Sequence, residues 1–402
     1  MSFPPPQLPI QGSILIALAL FTPRLPAIAG VPRAEVPVLP KRQKKLVLTV
    51  STLLVLPVLF SFPHLGHATG RVLASRRGVT GRIVVGEELS SNGRWFRYLR
   101  ADHSILGGVW LGEEGVQGLT KQEEKTKLAK GESIYTTFVL QELVRLAAPT
   151  NRPSDAPDER ALVVGLGTGL AARALAAQDV ETTVVEVDPA VYDFAREFFA
   201  LPLPNGGAVL QDARAFLAKK SSVKYDFVVH DVFTGGTLPA ELFTEQAFAQ
   251  LKARLQPWGT LAVNLAGSLQ SPIAAAVVST LSATFPSCRA FTADGPPAAL
   301  DSDAFQNVVI FCSASGEAVS FRKPLQADYL VEGSSPVARK NVLDHFQEWE
   351  LPAGWQDAVG GKAGLLQDKK LGGIGPHQEA VAAAHFELMK QVLPNQAWAD
   401  FY

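Results

Sequence analysis

Apolar and polar positions change rhythm several times along the 402 residues. Two uninterrupted apolar runs come first, at residues 14–21 and 46–62. The second is uncharged and, as a helix, would be about 26 Å long, at the lower limit for crossing a bilayer core. Alternation then predicts strands at 82–85 and 95–99, joined by the turn-rich 90–93, with a third at 104–112. Residues 121–130 are charged and read as a solvated loop or short helix. From 133 to 148, Ile134, Phe138, Leu140, Leu143, Val144 and Leu146 recur at helical spacing.

Beyond a polar linker at 149–160, short apolar segments alternate with helical ones. Strands are predicted at 161–164, 182–187, 208–210, 225–230 and 260–265. Helices are predicted at 170–177, 190–199, 214–219, 243–255 and 272–285, and 289–292 with 307–312 form a closing pair. This pattern predicts an α/β fold with a parallel, doubly wound, Rossmann-like sheet. Ligands of such sheets sit outside the carboxyl ends of the strands. The chain divides into a membrane-associated or targeting segment (1–70) and a small β domain with a helix (81–148). A Rossmann-like catalytic domain (155–320) and a C-terminal extension (321–402) complete it. The glycine-rich stretch 360–375 reads as a mobile loop.

Charge sharpens this division. Lys+Arg number 37 and Asp+Glu 38, a net charge of −1 that excludes a strongly basic nucleic-acid binder. Residues 1–80 nevertheless carry +8, leaving −9 for the remainder. A basic cluster at 41–45 directly precedes the second apolar run. Membrane association through residues 11–62 is the expectation; a removed targeting segment or an apolar helix packed on the domain is the alternative. Cys288 and Cys312 are too few for a disulfide framework or a multi-cysteine zinc site, and read as buried free thiols. The seven histidines show no metal-ligand spacing.

Candidate chemistry lies at the strand ends. Gly165, Gly167 and Gly169 form a strand–turn–helix loop that lets backbone N–H groups approach a ligand. Glu186, near the end of the next strand, is placed to accept both ribose hydroxyls of a nucleoside. Asp212-Ala213 closes the third strand and Asp231 the fourth. The GxGxG order lacks the third glycine position of a dinucleotide fingerprint, and an acid at three successive strand ends suits a cationic sulfonium better than a pyrophosphate. Each feature has a plainer reading: glycines for packing, Asp212 and Asp231 as helix N-caps. His230, adjacent to Asp231 on its strand, points to the opposite face and reads as core. Trp95, Trp110 and Trp258 read as core or turn packing.

Residues 81–312 resemble the spermidine/spermine synthase family and its methyltransferase-like relatives. The resemblance rests on VVGLGTG at 163–169, VVEVDP at 184–189 and PAELF at 239–243 after Asp231; the last is one residue shorter than the family's segment. The end of the chain, 384–398, resembles a tail of fungal members with N-terminal membrane helices. The resemblance implies the fold of class I methyltransferases, S-adenosyl-L-methionine or its decarboxylated form as cofactor, alkyl transfer to an amine, and a homo-oligomer. It places Tyr135 at the amine pocket and Asp231 at the reacting end. Two family carboxylates are absent, replaced by Thr168 in the glycine loop and Thr234 after the fourth strand. Each loss removes about 4 kcal/mol of attraction for a cation at 4 Å and effective dielectric 20. Glu241, Glu132 and Glu142 are the candidates to compensate. Methyl transfer to an amine-bearing small molecule or protein is therefore the leading expectation. Aminopropyl transfer is the alternative, and a non-catalytic membrane-linked relative the third. Supply of S-adenosylmethionine predicts a cytoplasmic catalytic domain.

Overall fold

Four antiparallel strands, paired in chain order, open the computed structural model: β1 (Arg71–Arg77), β2 (Arg82–Leu89), β3 (Trp95–Ala101) and β4 (Ser104–Gly112). The structure describes residues 70–398 except 148–151, 234, 235, 237, 298, 299, 301, 302, 331–336, 362, 374 and 396. The membrane segment expected at 11–62, and Thr234, lie outside these residues. Among the described residues no helix is long and apolar enough to cross a membrane.

Alternation alone did not reveal β1, because its sequence RVLASRR is largely exposed. It is an edge strand held by its ladder to β2, with Arg71 paired to Glu87 and Arg76 to Asp193. The inner strands bury Ile83, Val85 and Leu99 completely. They also bury Arg97, which ion-pairs with Glu87 and Glu124.

The charged stretch 121–130 is a helix, α1 (Lys121–Lys130). Thr120 and Glu123 cap it reciprocally, satisfying backbone donors that the first turn leaves free. The single helix expected over 133–148 is shorter: α2 (Thr136–Glu142) tightens into a 3₁₀ turn at Leu143–Leu146.

The larger unit alternates β5 (Arg160–Val164), α3 (Leu170–Ala176), β6 (Glu181–Glu186), α4 (Pro189–Phe198), β7 (Ala208–Leu210), α5 (Ala213–Ala218), β8 (Tyr225–His230), α6 (Glu245–Arg254), β9 (Leu255–Ser268), α7 (Pro272–Thr284), β10 (Cys288–Thr292) and β11 (Phe305–Ser313). The sheet order is β10-β11-β9-β8-β5-β6-β7. Strands β5 to β9 pair in parallel, as expected. The sheet is nevertheless mixed, because β11 runs antiparallel to both β9 and β10. A parallel return needs a crossover of a dozen or more residues, usually a helix, and no helix is described between β10 and β11.

That pairing overturns the expectation for the cysteines. Antiparallel register sets Cys288 opposite Cys312, Cα atoms 4.1 Å apart, and the two are joined in a disulfide. Their 24-residue separation conceals this adjacency in the sequence.

The chain continues through α8 (Val337–His345), α9 (Trp355–Gly360) and α10 (Gly375–Val392). The stretch expected to be a mobile loop is instead docked. Leu366 is buried and its N–H donates to Thr280, while Asp368 pairs with Arg214. Helix α10 lies against β4, and Arg100 donates to the Ala397 carbonyl at 2.9 Å.

Candidate functional site

The carboxyl edge of the large sheet borders a cavity of about 300 Å³. Taken across the sheet, its wall carries Asp212 and Ala213 after β7, Glu186 at the end of β6, and Gly165–Gly167 after β5. Asp231 after β8 and Asn264 on β9 follow. Because β11 is antiparallel, its beginning reaches the same edge and adds Phe305 and Asn307. The small sheet contributes Thr80, Ile105 and Leu106; α2 contributes Thr137 and Phe138, preceded by Tyr135; α10 contributes His385 and Met389.

The glycine loop is dictated by the chain's own crowding. Gly165, Gly167 and Gly169 adopt φ of +83°, +54° and +77°, values that glycine adopts without steric cost. A Cβ on Gly165 would stand 1.9 Å from the Asp231 carbonyl oxygen, and one on Gly167 2.6 Å from that of Leu106. Gly169 N-caps α3 and lies off the cavity wall, whereas Gly165 and Gly167 are on it. The packing reading therefore holds for all three, and for two it coexists with exposure to a ligand.

Glu186 accepts from the Leu166 N–H at 2.9 Å and the Asp188 N–H at 2.8 Å. Burial pushes its pKa up to about 7, partly opposed by those two hydrogen bonds. Each carboxylate oxygen has a further lone pair, so the side chain can still accept hydroxyl donors from the cavity it lines. Asp188, two residues on, accepts from both the N–H and the hydroxyl of Thr80 at 2.9 Å. This fastens the β1–β2 connection to the start of α4.

Asp212 caps α5, accepting from the Ala215 N–H at 2.8 Å, and also lines the cavity. Asp231 is not a cap. Its oxygens accept from the side-chain amides of Gln141 and Asn264, each at 2.9 Å. Burial raises its pKa, against the lowering effect of both amides. The result is a carboxylate fixed in direction and biased towards taking a proton. Tyr135 lines the cavity with its hydroxyl 3.9 Å from Met389 Sδ, and burial, then the charge of Asp294, holds the phenol protonated.

The remaining expected residues divide. His230 is fully buried, edge-on to Phe243 at 4.9 Å, with its pKa lowered by burial to about 4. Trp258 donates to Asp226, and neither it, Trp95 nor Trp110 lines the cavity. Thr168 is buried off the wall. Of the candidate compensating acids, Glu241 lines the cavity, on a turn packed against α5. Glu132 bonds the Ala338 N–H and Glu142 is paired with Arg339; neither lines it. Gln141, Asn264, Asn307, Phe233 and His385 went unrecognised in the sequence. An asparagine inside the apolar run TLAVNL was the available signal for Asn264, and Phe233 lies two residues after Asp231; Gln141, Asn307 and His385 reach the site from other segments.

Residues 144–316 match the family model for the spermine/spermidine synthase domain. The N-terminal histidine N-methyltransferase of Emericella nidulans is 36% identical over 358 residues, covering 83% of this chain and 61% of that protein. The chain thus spans less than two thirds of that relative's length. A probable polyamine aminopropyl transferase of Bifidobacterium longum is 32% identical over 140 residues, covering 34% of this chain and 31% of that protein. A crystal structure of a probable spermidine synthase from Corynebacterium glutamicum aligns with a TM-score of 0.51 at 17% identity, over 74% of this chain and 97% of that one, which shows a shared fold.

Proposed function

We propose that the chain uses the region matching the spermine/spermidine synthase domain to transfer a methyl group from S-adenosylmethionine to a nitrogen of a protein's N-terminal histidine. The observation that carries this reading is the distribution of charge around the cavity. Glu186 and Asp212 stand at the β6 and β7 ends, and Glu241 on the turn against α5. On the β8–β11 side, Asp231 is the carboxylate among the described lining residues; its neighbours there are Asn264, Asn307, Phe233 and Phe305. A polyamine brings at least two ammonium groups, and an aromatic and amide wall leaves the second without a counter-charge. A single nitrogen acceptor makes no such demand. The name of the Emericella nidulans relative supplies the acceptor.

The residues present fit the cofactor. Glu186 is a buried carboxylate with lone pairs to spare on the wall, suited to a ribose diol, and Gly165 and Gly167 leave room for close backbone approach. Asp212 and Ala213 border the position of a base. When bound, S-adenosylmethionine supplies a methyl group activated by its sulfonium. Asp231 receives the proton that the acceptor nitrogen sheds, and Gln141 and Asn264 hold its oxygens in the direction that this requires. Aligning acceptor and methyl within one cavity removes most of the remaining entropic barrier.

Incubating the full chain with S-adenosylmethionine and a synthetic peptide beginning with histidine tests the reading. Mass spectrometry should find one added methyl on the peptide and S-adenosylhomocysteine as co-product. Aminopropylation of putrescine from decarboxylated S-adenosylmethionine, with an unmodified peptide, would overturn it.

A further inference from the structure

We propose that His385 on α10 is the acceptor-binding residue of this cavity, its imidazole offering a hydrogen-bonding nitrogen to the group that receives the methyl. The proposal rests on the methyl-transfer reading and assigns the polar contact of its acceptor wall. His385 is 4% exposed and lines the cavity. Its ring stands edge-on to Phe233 at 4.9 Å and tilted to Phe305 at 5.3 Å. Phe233 follows Asp231 by two residues and Phe305 opens β11, so both belong to the side of the sheet edge assigned to the acceptor.

One nitrogen of the ring is accounted for: Nε2 lies 3.3 Å from Ser104 Oγ. The other, Nδ1, is buried and has no hydrogen-bond partner. Buried polar atoms in native structures are nearly always paired, and an exception on a residue that lines a cavity leaves a place for a group that completes it. Packing explains the aromatic neighbours of His385 and its 3.2 Å approach to a Cβ built on Gly236; it does not explain the idle nitrogen. Burial lowers the imidazole pKa to about 4, so near neutral pH the ring is uncharged, with one donor and one acceptor nitrogen. Such a ring can bond an imidazole or amine acceptor without repelling a proton from it.

Two variants of the full chain separate recognition from packing. His385→Phe keeps an aromatic ring between Phe233 and Phe305 and removes both nitrogens; His385→Asn restores a hydrogen-bonding group. Titration calorimetry would follow a histidine-first peptide at saturating S-adenosylhomocysteine, and S-adenosylhomocysteine alone. H385F should weaken peptide binding and raise its KM by about tenfold or more, keep S-adenosylhomocysteine affinity within about twofold, and be partly rescued in H385N. Unchanged peptide affinity in H385F, beside an active wild-type chain, would overturn the proposal alone. So would an equal loss of peptide and S-adenosylhomocysteine binding, the mark of a residue that only packs α10. A wild-type chain inert towards the peptide would overturn the methyl-transfer reading, and this proposal with it.

Discussion

Glu186 faces two opposed demands. In the proposed function it stays on the cavity wall to receive a ligand, yet burial holds its pKa up to about 7. A carboxyl whose folded pKa exceeds its unfolded value stabilises the fold fully at low pH, and the contribution fades as pH rises from about 4.5 to about 7. The ligand-free wild type should therefore lose stability across that window relative to Glu186→Gln, by roughly 3 kcal/mol in the limit. Thermal melts of both proteins between pH 5 and 8 check this, and parallel curves would refute it. Sequence reasoning alone makes Glu186→Ala a clean test of cofactor binding with stability unmoved. The structure shows why it is not, since alanine strands the Leu166 and Asp188 N–H donors. At Asp231 the isosteric Asp231→Asn should lower the single-turnover rate by about a hundredfold or more, the scale of a lost general base. S-adenosylhomocysteine affinity, measured by calorimetry, should be preserved.

The disulfide stands out among the elements because it lies far from the cavity. Cys312 lies one residue before the end of β11, while Phe305 and Asn307 lie at its start. Closing a 24-residue loop contributes about 3 kcal/mol in the chain-entropy account. Reductant should accordingly lower the melting temperature of the purified protein and leave S-adenosylhomocysteine affinity unchanged; a matching loss of affinity would show that the strand pair governs the site. The elements also show what could be read in advance. The parallel strands, the glycine loop and the acids at the ends of β6, β7 and β8 were legible because buried strands are apolar runs and their ends are where polarity resumes. Strand β1 was hidden by its arginines, and the direction of β11 by the absence of any local signal for pairing. Gln141 and His385 were illegible for a different reason. Each comes from a helix whose register against the sheet is set by tertiary packing, so no local spacing announces it.

In the molecule as a whole, the buried histidines contribute to the acid limit. Burial lowers both His230 and His385 to about 4 from 6.5. The unfolded chain thus binds more protons than the folded one between those values, and stability falls as pH drops through that window. His230→Leu, which removes one of these groups from beside Phe243 and Phe248, should flatten the acid limb of stability measured by urea unfolding from pH 6.5 to 4. An unchanged slope would exclude His230 as a contributor. The Thr80–Asp188 clasp matters at this same scale. It joins the small sheet to the turn beside Glu186, so the cavity wall is completed only after segments more than 100 residues apart have met. Any molecule that fills the cavity then acts as a rivet through the whole assembly. Supply of the cofactor would set the lifetime of the protein in the cell as well as its rate of turnover, because each bound copy is withheld from the unfolded pool that proteases sample.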